Sequence, residues 1–266
     1  FQPTVEEAVR GNPAALLLVE FAEEDMAENE RRLRQLHEMM GDLGFGWDKG
    51  AAWRGGVVDA IDPGMQDRIA EWRKSGLNIM MSEKSEAKPV SFLEDCAVEL
   101  KDLAEYTDKL TAIFDRNGVK GTWYAHASVG CLHVRPVLNM KQAGGAETMR
   151  AIAEEAFELV RSFGGSHSGE HGDGIVRSEF NDRMFGPVLP DLFRQVKAMF
   201  DPQGMFNPGK ITDAPKMDDR ELFRFAPGYE VEDFDSVLDW AAWPGAAGGF
   251  QGAVEMCNNN GACRKL

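Results

Sequence analysis

The stretch "GTWYAHASVGCLHVRPVL" (121–138) limits the possible folds more than any other part of this sequence. Two β-rich segments flank Gly130, and that pattern predicts a hairpin. The segment "GAETMRAIAEEAFELVRSFGG" (145–165) then reads as an amphipathic helix closed by glycine. A hairpin with amphipathic helices for neighbours buries itself by laying one sheet face beneath them, which is an α+β arrangement.

The rest of the chain is read in the same way. "AALLLVEF" (14–21) predicts a short buried strand, and 22–44 a helix with Met26, Leu33, Leu36 and Met40 near one face. "DPGMQDRIAEWRKSG" (62–76) predicts a helix capped by Asp62, with Pro63 at its first position and Gly76 at its exit. "KPVSFLEDCAVE" (88–99) reads as a strand, 100–118 as a helix ended by Asn117 and Gly118, and "PDLFRQVKAMF" (190–200) as the last clear helix. The expected fold is α+β, with helices packed on a ferredoxin-like antiparallel sheet over residues 1–212. Periodicity then fades. Residues 213–252 read as a linker or extended arm, marked by the Gly-, Ala- and Pro-containing stretch that starts at Trp243, "WPGAAGGFQGA" (243–253).

Charge excludes some functions. Forty-four acidic residues against 29 basic ones give a net charge of −15, which is unsuited to gripping duplex phosphates. No apolar run approaches the roughly 20 residues that span a bilayer. Four cysteines (Cys96, Cys131, Cys257 and Cys263) are too few for a disulfide scaffold of this length, so a reducing cytoplasm fits best. The chain opens without methionine or a visible leader, and its last residues, "CNNNGACRKL", read as the start of something unfinished.

Three of the five histidines fall in two dense segments, "HASVGCLH" (126–133) and "GEHGDG" (169–174). On one continuous strand His126 and His133 would point to opposite faces, because their separation is odd. A turn at 129–131 resets that phase and lets both project to one side. Glu170 and His171 sit in a Gly-rich turn that permits close approach to a ligand. Two imidazoles and a carboxylate make a divalent-metal site with positions left open. The plainer reading is that these are hydrogen-bonded structural histidines, and their clustering favours a site. His167, in the same turn, reads as structural or supporting. No G-x-G-x-x-G motif or P-loop is present.

Together "HASVGCLH", "GEHGDG" and "FDPQGMFNPGK" (200–210) resemble the C-terminal domain of FAD-linked oxidases. This family includes glycolate oxidase and the D-lactate and D-2-hydroxyglutarate dehydrogenases. The resemblance implies that His126, His133 and Glu170 bind a divalent ion, Zn or Mn, and that His171 is the general base. It implies a substrate-carboxylate role for Arg73. Arg135 stands where the hydroxyglutarate enzymes place an Asn; it is expected either at a second substrate carboxylate or paired with an acidic neighbour. Asn207 and Lys210 resemble the motif that lies against the flavin, and Glu94 and Asp95 match an acidic pair expected to do no more than line the sheet or tune the site.

FAD itself is expected on a preceding domain that this chain lacks, which would leave the fragment inactive alone. Residues 253–266 resemble the entry into an iron–sulfur domain, with Cys257 and Cys263 as its first ligands. Two cysteines cannot hold a [4Fe–4S] cluster. The implied activity is D-2-hydroxyacid oxidation with electrons passed to iron–sulfur centres. The implied location is the cytoplasm, with possible peripheral contact to the inner membrane through an electron acceptor, and a homo-oligomer is possible. A non-catalytic metal- or ligand-binding module is the alternative.

Overall fold

The computed structural model describes residues 1–47, 55–81, 85–226, 229, 236–242, 249–255, 257 and 261. The chain divides into two compact units, Phe1–Ile79 and Met80–Leu266.

In the first unit α1 (Gln2–Ala8) packs on α3 (Pro63–Lys74), joined by an Arg68–Glu7 ion pair at 2.6 Å. Between them in sequence, α2 (Met26–Asp42) starts at Asp25, whose side chain accepts from the Ala27 amide. Asp62 caps α3 as expected, accepting from the Met65 N–H at 2.8 Å, with Pro63 in the first turn. Two expectations are corrected here. Gly76 does not close that helix; α3 ends at Lys74, and Gly76 opens a further short helix, α4 (Gly76–Met81). Residues 14–21 form no strand and lie exposed, Leu17 at 77%. A strand needs a partner for its backbone groups, and the described residues of this unit contain no other strand.

The second unit is built on β4 (Cys131–Leu138), which pairs antiparallel with every other strand of its small sheet. β3 (Gly121–His126) runs along one edge, with Gly121 opposite Pro136 and His126 opposite Cys131. Two short strands share the other edge: β1 (Lys88–Pro89) opposite 137–138 and β2 (Cys96–Ala97) opposite 131–132. The expected single strand over 88–99 is thus broken in the middle by a turn. Gly130 makes the tight hairpin corner at φ +70°, where a Cβ would lie 2.0 Å from the Val98 carbonyl oxygen. No other residue fits there.

Alternation along β4 sorts its side chains. Leu132, Val134 and Leu138 are buried in the core, while Cys131, His133 and Arg135 face the other way. The core is closed by α5 (Leu103–Arg116) through Tyr106, Leu110, Ile113 and Phe114. It is completed by α6 (Ala143–Ser162), whose Met149, Ile152, Ala153, Ala156, Phe157 and Val160 recur at helical spacing. Then come α7 (Asn181–Phe185) and α8 (Val188–Phe200). The architecture is α+β, helices on a small antiparallel sheet.

Residues 217 and 218, at the start of the expected arm, are fixed to the rest of this unit. Met217 is buried, its N–H donates to Glu179 at 2.6 Å, and Asp218 pairs with Arg150 at 2.6 Å. Lys141 binds Glu86 and also Glu255 at the end of α9 (Gly249–Glu255). Cys257 is exposed, and Cys263 lies outside the described residues. No helix among the described residues is long and apolar enough to cross a membrane.

Candidate functional site

The sheet face opposite the core carries Tyr124 and His126 from β3 and His133 and Arg135 from β4. Register explains the grouping. Tyr124 is opposite His133 and His126 is opposite Cys131, so both imidazoles project to one side from adjacent strands. Their ring centroids are 5.0 Å apart.

The loop after α6 brings the carboxylate. Glu170 Oε1 lies 3.3 Å from His126 Nε2 and 3.0 Å from His133 Nε2. Ligands at about 2.1 Å around a tetrahedral ion are themselves about 3.4 Å apart, so these separations suit one divalent cation. The donor set fits as well. His133 is only 7% exposed, and its burial, reinforced by the neighbouring His171, lowers its pKa and favours the neutral, ligating imidazole. Glu170 is 48% exposed, which leaves open positions toward solvent.

His171 stacks on His133 with centroids 4.7 Å apart and planes at 10°. Its Nε2 is 3.5 Å from Glu170 Oε1, and its Nδ1 is 3.3 Å from Glu94 Oε1. Among the described residues, Asp95, His133, Glu170 and His171 each offer one ligand atom, and these atoms all lie within 4.8 Å of one another. His126 joins them through Glu170. Cys131 is nearby, but burial and the adjacent Asp95 push its thiol up to about 12, so it does not supply a thiolate.

Arg135 is engaged by Glu94. Its Nη2 and Nε lie 2.6 and 2.8 Å from Glu94 Oε2. Of the two roles expected for it, pairing with an acidic neighbour describes this structure. Burial opposes ionisation of Glu94, yet hydrogen bonds from Arg135 and Ser91 outweigh it and hold the carboxyl below its usual range. A pocket of about 240 Å³ opens beside this array, lined by Ser91, Glu94, His171 and residues 172–177.

Arg73 sits in the last turn of α3, in the first unit. Asn207 adopts φ +47° in an exposed loop, where its Oδ1 accepts from Lys210 Nζ at 3.3 Å. His167 is fully buried, with its Nε2 3.0 Å from Asp173 Oδ1. For Asp95 the sequence suggests no more than lining the sheet or tuning the site, and for Arg177 it suggests nothing. Both are buried against the loop that carries Glu170, and no spacing rule announces either one.

Residues 3–211 match the family described as "FAD linked oxidases, C-terminal domain". The chain is 32% identical over 253 residues to the D-2-hydroxyglutarate dehydrogenase of Pantoea ananatis, covering 93% of this chain and 23% of that protein. It is 33% identical over 256 residues to the D-2-hydroxyglutarate dehydrogenase of Escherichia coli, with the same coverage. The D-lactate dehydrogenase of Archaeoglobus fulgidus is 30% identical over 146 residues, 55% of this chain and 31% of that protein. The chain thus spans under a quarter of the length of the hydroxyglutarate enzymes it matches. By the extent of these matches, the chain belongs to the FAD-linked oxidases, as their C-terminal domain.

Proposed function

We propose that this chain is the substrate- and metal-handling domain of a FAD-dependent dehydrogenase acting on D-2-hydroxyacids, of the D-2-hydroxyglutarate or D-lactate class. The observation that carries the reading is the convergence of His126 and His133 on one oxygen of Glu170, with His171 alongside.

In this reading His126, His133 and Glu170 hold a divalent ion, Zn or Mn. Such an ion, when bound, would supply Lewis-acid polarisation to a hydroxyacid substrate. His171 is the base. Glu94 Oε1 lies 3.3 Å from its Nδ1, and a neutral imidazole protonated on that nitrogen would leave the Nε2 lone pair to take the hydroxyl proton. Arg135 acts through Glu94, fixing the carboxylate that orients the base. Arg73 is assigned to the substrate carboxylate, for which a guanidinium fork is suited.

The described residues do not fit FAD as a whole. Asn207 and Lys210 offer one exposed loop and no phosphate cradle, so they provide an edge contact at most. The flavin is assigned to the remainder of a longer protein. Cys257 and Cys263 are assigned to an iron–sulfur region, and no cluster can form on these two alone.

Turnover of the full-length protein against a panel of D- and L-2-hydroxyacids tests the proposal. D-selective flavin reduction that falls by about 10²-fold or more in His171→Ala supports it. Unchanged turnover in that variant contradicts it.

A further inference from the structure

We propose that Asp95 is the positioning residue of this centre: it grips the loop at 169–171 through three successive backbone amides and so aims Glu170 and His171, without itself binding the ion. This rests on the reading of His126, His133 and Glu170 as a metal site.

The chain breaks its own strand to make the grip. Between β1 and β2, Asp95 takes φ +93°, a conformation that L-residues rarely adopt. The turn brings every acceptor of the residue to bear on one segment. The Asp95 carbonyl accepts from Gly169 N–H at 2.8 Å. Its Oδ1 accepts from Glu170 N–H at 2.8 Å, and its Oδ2 from His171 N–H at 2.9 Å. The Asp95 N–H donates to the Leu132 carbonyl at 2.8 Å, next to His133 on β4. One residue therefore joins the strand that supplies an imidazole to the loop that supplies the carboxylate and the base.

The surroundings suit that task. The Asp95 side chain is fully buried, and its charge is met by the buried Arg177, whose Nη2 is 3.6 Å from Oδ2. Arg177 also donates to the Gly172 carbonyl, which extends the hold beyond His171. Gly169 permits the close approach, since a Cβ there would lie 3.0 Å from the Asp95 carbonyl oxygen and 3.2 Å from Oδ1.

An Asp95 oxygen does lie within ligand range of the imidazoles. Both carboxylate oxygens, however, already accept short amide bonds. Turning one toward an ion would take a half-buried amide N–H from its partner and loosen the loop that carries Glu170 and His171. Glu170, by contrast, presents Oε1 to His126 and His133 while its backbone is held from behind.

The test uses the 266-residue chain and two variants, Asp95→Asn and Gly169→Ala. An asparagine has one acceptor oxygen and cannot serve both amides. In metal-free protein, hydrogen exchange at Glu170 and His171 should be about tenfold faster in Asp95→Asn, since a factor of ten corresponds to about 1.4 kcal/mol of opening free energy. Cobalt(II) titration should show affinity lowered about 10- to 100-fold, with the visible bands unmoved because the ligands are the same. Unchanged exchange, or shifted cobalt bands that mark Asp95 as a ligand, would overturn the proposal. If the parent chain binds no cobalt, the metal reading fails, while the exchange result still judges the grip. If near-ultraviolet dichroism shows Asp95→Asn unfolded, Gly169→Ala, which crowds the Asp95 carbonyl, decides by the same two readings.

Discussion

Replacing Arg135 by methionine isolates the pair that backs His171. Arg135 and Glu94 are each only 13% exposed, and the guanidinium sits 2.6 Å from the carboxylate. Removing one partner of a buried ion pair costs about 3–5 kcal/mol, and the residual exposure here lowers the expectation to about 2–4 kcal/mol. The pH dependence follows from Glu94. Burial works against its charged form, but Arg135 and Ser91 hold its pKa below the ordinary value. In the parent this contribution is fully present above the unfolded pKa of about 4.3 and is lost as pH falls through the lowered folded value. In Arg135→Met burial is left less opposed, so the Glu94 pKa rises. The variant's deficit is then greatest near neutral pH and shrinks as pH falls and the carboxyl protonates. Urea unfolding followed by near-ultraviolet dichroism measures this across pH. Adding Glu94→Gln should restore about 1–3 kcal/mol, because no charge is then stranded. A single variant within about 0.5 kcal/mol of the parent at pH 7, with no coupling in the double variant, would refute the reasoning.

Other perturbations separate the roles of neighbouring groups. His171→Ala should keep the metal stoichiometry of the parent by atomic absorption; loss of metal would move His171 from base to ligand. Asp201 binds Lys197 and the amides of Met205 and Phe206, and these bonds, led by the one to Lys197, lower its pKa to about 2. The 201–206 turn should therefore hold above about pH 3.9 and loosen as pH falls toward 2, visible as line broadening at Met205 and Phe206, and Asp201→Asn should be loose throughout. Ile152→Ala, at a fully buried position on α6, should cost about 2–5 kcal/mol in urea unfolding, and a smaller loss would remove that helix face from the core.

The sequence carried these features unevenly, for physical reasons. The hairpin was legible because Gly130 and the alternation of β4 are local signals, and local geometry alone decides which way His126 and His133 point. The helices at 103–116 and 143–162 were legible from period and from their glycine exits. Residues 14–21 were misread because apolar content marks a strand only if a partner edge exists, and partners are not written locally. The break at 91–95 was hidden for a related reason: the left-handed Asp95 is stabilised by amides some 75 positions away. Arg135 shows the limit of reading one residue at a time. Its type fits a substrate carboxylate and an internal one equally, and the choice was made by Glu94, placed opposite by folding.

One cation shared by His126, His133 and Glu170 is the centre of the proposed site. X-ray absorption spectroscopy of the zinc-loaded chain tests this most directly. Two imidazole nitrogens and a carboxylate oxygen are expected at about 2.0–2.2 Å in the parent, with one imidazole lost in His126→Ala. An unchanged two-imidazole spectrum in that variant, or a parent that retains no zinc after dialysis, would contradict it.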